Sequence, residues 1–340
     1  MTMGLAKFKG FVFLCLLLAG CQPHQPINRQ VVFSGPIMGT QYRITVVVDS
    51  DQDVEQLEKS AIAAMQRVNQ SMSTYIENSE LNKINQAPAD LAIQVSSGLA
   101  EVLAQAKWIS SISEGAFDIT LAPAINLWGF GPQGAVTKKP DARTLSKLRS
   151  SIGYQYIQLQ GQELRKTNDK VSLDLSAIAK GYGVDQVAIA LEQRGVFAYL
   201  IDIGGELKAS GRNIDQAVWQ IGIEKPHVLG GIQKVVPLAN KAIATSGDYR
   251  NYHIIDGQQY SHTIDAKTLS PVFHKLALVS VMHESASIAD GLATAMLAMG
   301  EQEALSFADK QELSAYFLIR GDKAGEYFEQ MTDKFMLNLQ

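Results

Sequence analysis

The sequence predicts an α+β protein, with mixed, largely antiparallel sheets and helices packed against them. Three observations carry this. Helix-period and strand-period segments are interleaved along the chain. Many strand segments are separated only by short turns, as in hairpins. No Pro-, Gly- or Ser-rich linker divides the body, so it reads as one unit. The 340 residues are 46% hydrophobic and 19% charged, which is ample for a large core. A net charge of -4 argues against a broad nucleic-acid footprint, which is usually basic. The two cysteines, Cys15 and Cys21, lie near the N-terminus, so the body carries neither a disulfide nor a thiolate metal site.

Residues 1–20 read as a lipoprotein signal peptide. Lys7 and Lys9 precede an apolar run over 11–18, too short to span a bilayer as a final anchor. The run ends in Leu18-Ala19-Gly20-Cys21, which looks like a lipobox whose Cys21 thiol would take the lipid. A plain signal peptide cut elsewhere, or an uncleaved anchor, is the weaker alternative. Residues 22–30 are polar with two prolines and read as a tether. The chain is therefore expected to face the periplasm from a bacterial membrane. Gln22, where an aspartate would favour the inner membrane, leans toward the outer one.

Within the body, 31–340, residues 41–49 read as a strand because Ile44, Val46 and Val48 alternate. Residues 53–71 read as a helix with Val54, Leu57, Ala61, Met65 and Val68 on one stripe. A second helix is expected over 97–113, stopped by Glu114-Gly115, and a polar surface loop over 132–140. Residues 156–175 should hold two or three short strands. A helix over 179–194 ends at Gly195, and 197–203 reads as a buried strand. Strands and turns dominate 218–281, a helix over 285–299 ends at Gly300, and the last strand is expected at 315–319.

The most informative stretch is Asp174-Leu175-Ser176-Ala177-Ile178-Ala179-Lys180-Gly181-Tyr182-Gly183-Val184-Asp185. A carboxylate closes an apolar run, and six residues later a lysine sits at a helix start between small residues. Small residues let backbone approach a ligand, and a helix N-terminus favours anions. This points to a phosphorylated ligand with a metal. No GxxxxGK[ST] or GxGxxG is present. On the late helix, Asp290 and Thr294 are four apart, so both oxygens share a face suited to a hard cation such as Mg²⁺. Helix capping by Asp290 is the competing reading. His262-Thr263-Ile264-Asp265 offers the best acid–base pair, with Asp265 orienting His262 or acting itself. Tyr75 follows the first helix and either stacks on a planar ring or packs on the helix end. Gly115-Ala116-Phe117-Asp118 and 244–249 read equally well as structural segments, and Asp202-Ile203-Gly204-Gly205-Glu206 reads better as a simple turn than as a ligand loop.

Each motif alone is weak, but their order and joint presence are not. Met38-Gly39-Thr40, Phe117-Asp118-Ile119-Thr120, 174–185, 202–206, 244–249, His262 to Asp265 and Asp290 to Thr294 together resemble the FAD:protein FMN transferases, the ApbE-type flavin transferases. The resemblance spans roughly 33–321. It implies a reaction: FAD is cut at its pyrophosphate, FMN moves to a Ser or Thr hydroxyl of a partner protein, AMP leaves, and Mg²⁺ is required. It also implies roles. Asp290, Thr294 and the backbone carbonyl of Ala177 would hold the metal. Met38, Tyr75, Ala116, Phe117, Asp118, Asp174, Lys180 and Ile264 would contact FAD, Ile264 through its backbone. His262 would take the proton from the attacking hydroxyl. The implied acceptors are flavoprotein subunits of membrane redox systems, such as a Na⁺-pumping NADH:quinone reductase. The rival readings are a periplasmic FAD-binding lipoprotein and a pyrophosphatase giving FMN and AMP. One departure stands out: after Asp265 the family pattern has Pro and later Thr-Gly, whereas this chain has Ala266-Lys267-Thr268-Leu269. The turn is expected to change shape there.

Overall fold

A computed structural model describes residues 28–226 and 231–339. The signal peptide, Cys21 and most of the expected tether lie outside the described residues. The fold is α+β, built on an eight-stranded sheet in the spatial order Asn28–Ile37, Thr40–Asp49, Tyr199–Ile203, Glu206–Ser210, Ala242–Gly247, Leu276–His283, Ser314–Arg320 and Tyr327–Met331. Every pairing in it is antiparallel. Among the described residues, no helix is long and apolar enough to cross a membrane.

Both faces of the central strands are covered. Ala244, Val279, Val281, Ala315 and Phe317 face a helical layer through Leu103, Ile109, Leu292 and Met296. Ile243, Leu278, Met282, Tyr316 and Leu318 face the hairpin Trp219–Glu224 and Ile232–Leu238 together with Phe335. Burial on both sides explains why Leu276–His283 is almost continuously buried instead of alternating.

The long helices sit where the sequence places them: Val54–Met72, Ser97–Ile112, Ala179–Glu192 and Ala286–Met299. Three start on side-chain caps. Asp53 accepts from the Gln56 N–H, Ser96 from Leu99 and Ser285 from Ile288, which satisfies N–H groups that a helix start leaves free.

Several expectations are corrected. Asn28, Arg29 and Gln30, expected in the tether, already pair with Asp49, Val48 and Val47. They begin an edge strand that carries Gly35 and Pro36, tolerable because an edge strand has N–H positions outside the ladder. Met38 and Gly39 form its two-residue hairpin turn, with φ values of +49° and +74°. The apolar run ending at Asp174 forms no ladder. It is tied instead by the Leu173 N–H to Asn85 Oδ1 (2.7 Å) and the Asp174 N–H to the Ile119 carbonyl (2.8 Å). The region expected to hold two or three strands does hold two, Ile157–Gln160 and Glu163–Lys166. Phe197 is 61% exposed, and the strand after it starts at Tyr199. Ser314–Arg320 is not the last strand; Tyr327–Met331 pairs beside it.

Candidate functional site

The site lies where the start of Ala179–Glu192 meets the start of Ala286–Met299. The two helices touch at Gly181, where a Cβ would stand 2.2 Å from the Ala286 carbonyl oxygen. Asp185, one turn further on, clamps the second helix. Its carboxylate accepts from Ser285 Oγ (2.8 Å) and from the N–H groups of Ala286 and Ser287 (both 3.1 Å), and it pairs with Lys208 at 2.7 Å. An acid at a helix N-terminus is doubly favoured, by free N–H groups and by the helix dipole. The Asp185 end of the signature stretch is thus structural.

This contact brings Asp290 under the lysine turn. The Gly181 N–H donates to Asp290 Oδ2 at 3.1 Å. A first-turn N–H would ordinarily close on the carbonyl four residues back. Here the Ala177 carbonyl receives no backbone N–H among the described residues. Lys180 Nζ stands 3.8 Å from Asp290 Oδ2, 3.4 Å from Glu206 Oε1, and donates to the Ser176 carbonyl at 3.4 Å. Thr294, one turn beyond Asp290, has its Oγ1 3.1 Å from Ser246 Oγ. Asp290 does not cap its helix; Ser285 does.

Two buried carboxylates flank one ammonium. Asp290 is 2% exposed and Glu206 3%, while the Lys180 side chain is 28% exposed. Burial raises the Glu206 carboxyl, with the Lys180 ammonium pulling it down and Asp290 adding like-charge repulsion. Burial raises Asp290 too, again against Lys180 and the Gly181 N–H. Burial alone would lower Lys180, but the carboxylates of Asp290 and Glu206 outweigh it and hold the ammonium well above its usual range. No cluster of three or more His, Cys, Asp or Glu side chains suited to a metal occurs among the described residues. Asp290 offers a carboxylate, Thr294 a hydroxyl and Ala177 an unclaimed carbonyl. Such a hard, sparse donor set fits Mg²⁺, which keeps several waters and shares a phosphate.

The other expected residues gather around this core in different ways. Asp174 is buried and accepts from the Ser176 N–H at 2.8 Å. Met38, on the hairpin turn, reaches the lysine helix, its Sδ 3.3 Å from where a Gly183 Cβ would be. Tyr75 is 69% exposed, its hydroxyl donating to the Phe130 carbonyl at 3.3 Å, and it lies in the field of Asp174. Its ring therefore does not pack on the helix end. Phe117 is buried in the core, and Ile264 is buried beside Trp128 and Leu269. Asp118 is occupied: one oxygen accepts from the Thr120 N–H and hydroxyl (2.8 and 2.6 Å), the other from the Tyr154 N–H (2.9 Å). Of that turn, Ala116 is the half-exposed member.

His262 is oriented by a backbone group. Its Nδ1 is 3.0 Å from the Asn251 carbonyl, which can only accept, so Nδ1 carries the proton and Nε2 keeps its lone pair. Burial lowers its pKa, against the Asn251 hydrogen bond, and the nearby Lys180 charge lowers it further. Phe130, stacked on His253 at 4.2 Å, presents its ring to His262 at 6.3 Å and 66°. Asp265, expected to orient the imidazole, instead accepts from the Lys267 N–H at 2.7 Å within its own turn.

That turn keeps a tight form without its glycine. Leu269 has φ +57°, the left-handed region, and is fully buried. Its N–H donates to the Asp265 carbonyl at 2.7 Å and its carbonyl accepts from Trp128 Nε1 at 2.9 Å. Arg149 adds hydrogen bonds to the carbonyls of Ala266 and Lys267. The missing Gly is thus offset by packing and backbone ties. Leu269→Gly should relieve roughly 1–2 kcal/mol of left-handed strain but lose about 1.5–3 kcal/mol of burial and some chain entropy. The expected net is a loss of about 1–2 kcal/mol in urea unfolding; a more stable variant would show that strain dominates.

Glu206 and Ser246 lie in segments the sequence singled out but gave no role of their own, and Asn251 is the group it passed over. Gly204 and Gly205, with φ values of +68° and +102°, form the simple hairpin turn expected there, and that turn delivers Glu206 to Lys180.

A buried acid and a hydroxyl one helical turn apart, with a lysine beside the acid, thus meet at a close-packed helix start. The ApbE family model matches residues 38–317, and the chain belongs to the ApbE family. A Haemophilus influenzae protein named FAD:protein FMN transferase is 38% identical over 340 residues, covering 95% of this chain and 96% of its own. The solved structure of the flavin transferase ApbE from Vibrio cholerae superposes with a TM-score of 0.85 at 36% identity, covering 92% of this chain and all of that one (100%). The apo flavinyl transferase ApbE of Pseudomonas stutzeri gives 0.84 at 37% identity, covering 92% of this chain and 97% of that one.

Proposed function

We propose that this chain is an FAD:protein FMN transferase that moves the FMN half of FAD onto a Ser or Thr hydroxyl of an acceptor flavoprotein and releases AMP. Family membership and the named relatives support the transferase reading. The observation that carries the chemistry is the buried Asp290, one turn from Thr294 and bonded to the Gly181 N–H, with the Ala177 carbonyl left without a backbone N–H. These three groups would hold Mg²⁺, which when bound supplies positive charge to the pyrophosphate. Lys180 faces the same point and neutralises the charge that develops on the leaving phosphate. The exposed ring of Tyr75 and the Met38 turn would contact the flavin half. The acceptor hydroxyl oxygen bonds to the FMN phosphorus, the bond from that phosphorus to the AMP oxygen breaks, and the hydroxyl proton passes to Nε2 of His262. Anchoring through Cys21 would place the reaction at the periplasmic face of a membrane, beside flavoprotein subunits of redox complexes.

His262→Ala should slow transfer by about 10²–10⁴-fold while leaving FAD affinity unchanged. An equal loss of FAD affinity would assign His262 to binding. Because its pKa is lowered, the neutral, base-competent form persists below the usual histidine value. The transfer rate should rise with pH and level off below about 6.5; a midpoint above that value would contradict the assignment.

A further inference from the structure

Glu206 has no part in the reaction just described, yet it is among the most deeply buried charged groups. It is 3% exposed, and its Oε2 has no hydrogen-bond partner among the described residues. Buried polar atoms are rarely left unpaired without a reason. Its Oε1 is the carboxylate oxygen nearer to Lys180, 3.4 Å away against 3.8 Å for Asp290 Oδ2. Its position is rigid. The two-glycine turn precedes it, Gly205 donates its N–H to Asp202 Oδ1 at 2.9 Å, and Glu206 pairs with Ile203 in the sheet.

We infer that Glu206 is a positioning residue that draws the Lys180 ammonium off Asp290 and so keeps Asp290 free to ligate a divalent cation. An ammonium and a cation cannot share one buried carboxylate without strong mutual repulsion. Lys180 stands between two acids, and the second oxygen of Glu206 is open to receive it when Asp290 is taken. Without Glu206, Asp290 is the remaining carboxylate in reach, and the ammonium closes on the oxygen the cation needs. The inference rests on the reading of Asp290 as a metal ligand, and the experiment separates failure of the two.

Mn²⁺ binding to the mature chain without FAD is measured by loss of the free-ion paramagnetic resonance signal, with Mg²⁺ as competitor. Glu206→Gln should weaken binding about tenfold or more, in the range seen when outer partners of metal ligands are removed. Glu206→Asp should retain most of the affinity. Adding Lys180→Met to Glu206→Gln removes the competing ammonium and should restore affinity to that of Lys180→Met alone, which a merely structural defect would not do. Unchanged affinity in Glu206→Gln, with affinity lost in Asp290→Asn, would overturn the role of Glu206 and keep the metal site. A weakened Glu206→Gln that Lys180→Met fails to rescue would overturn it as well. No saturable binding by the unaltered chain, or unchanged binding in Asp290→Asn, would overturn the metal-site reading and this inference with it.

Discussion

Asp290→Ala is expected to abolish FMN transfer at low Mg²⁺, with a loss of at least about 10³-fold. The size follows from what the side chain does. It is the one carboxylate a helical turn from Thr294, it is buried, and it is held by the Gly181 N–H at 3.1 Å. A cation acting on a transferring phosphoryl group contributes several kcal/mol, and each 1.36 kcal/mol is about a factor of ten in rate. Stability should move far less. Burying a carboxylate is costly, and burial already raises the pKa of this one, so its removal also removes a desolvation cost. Transfer assayed across a Mg²⁺ series, beside thermal unfolding, checks both halves. A wild-type rate at low Mg²⁺ would remove Asp290 from the metal site, and a collapse of the fold would make its role structural.

Gly181→Ala is expected to cost roughly 3 kcal/mol of stability and about 10²-fold in transfer. The added Cβ would meet backbone, not a movable side chain: the Ala286 carbonyl oxygen at 2.2 Å and Ser287 Cα at 2.8 Å. The two helices must separate, and overpacking of this kind commonly costs about 1–3 kcal/mol or more. Separation also pulls Asp290 from the Gly181 N–H and from Lys180, and a misplacement of about 1 Å in a positioned site can cost about 10² in rate. Gly183→Ala is the control. Its Cβ would meet Met38 Sδ at 3.3 Å, a flexible thioether that can give way. It should unfold and turn over within a small factor of the parent. Equal behaviour of the two variants would show that helix contact does not set the site.

The legible parts of the sequence were those with local signals. An apolar stripe and stopping glycines placed four long helices to within about two residues at each end, because helix periodicity and end chemistry are written in neighbouring positions. The edge strand Asn28–Ile37 was hidden by Gly35, Pro36 and polar residues, and what makes it a strand is pairing with Thr40–Asp49. The run over 171–175 looked like a strand because it is apolar, but Asn85 and Ile119, remote in sequence, claim its hydrogen bonds instead.

The site divides in the same way. Asp290 and Thr294 stood out as a pair through helix spacing and Lys180 through its place at a helix start between small residues, whereas Ala177 was implied only by the family resemblance. Asp185 stood in the same stretch, but its work is to hold the other helix, 100 to 102 residues away, which no local pattern announces. Glu206 was read as the end of a turn. It is that, and only the folding of the hairpin against the lysine helix gives it a partner. Asp265 paired naturally with His262 in sequence, yet the imidazole donates its Nδ1–H to a carbonyl eleven residues earlier. Leu269 shows the converse. The missing glycine suggested an altered turn, but burial and two backbone ties hold a bulky residue at positive φ.

The central claim is covalent transfer of FMN to a protein hydroxyl. It is tested by mixing the lipid-free chain, FAD, Mg²⁺ and a candidate acceptor flavoprotein domain, then reading the denaturing gel under ultraviolet light and the supernatant for AMP. The account predicts a fluorescent acceptor band, absent when the acceptor Ser or Thr is replaced, with AMP released in equal amount. FMN free in solution with AMP and no labelled band would contradict it, leaving a hydrolase in place of a transferase.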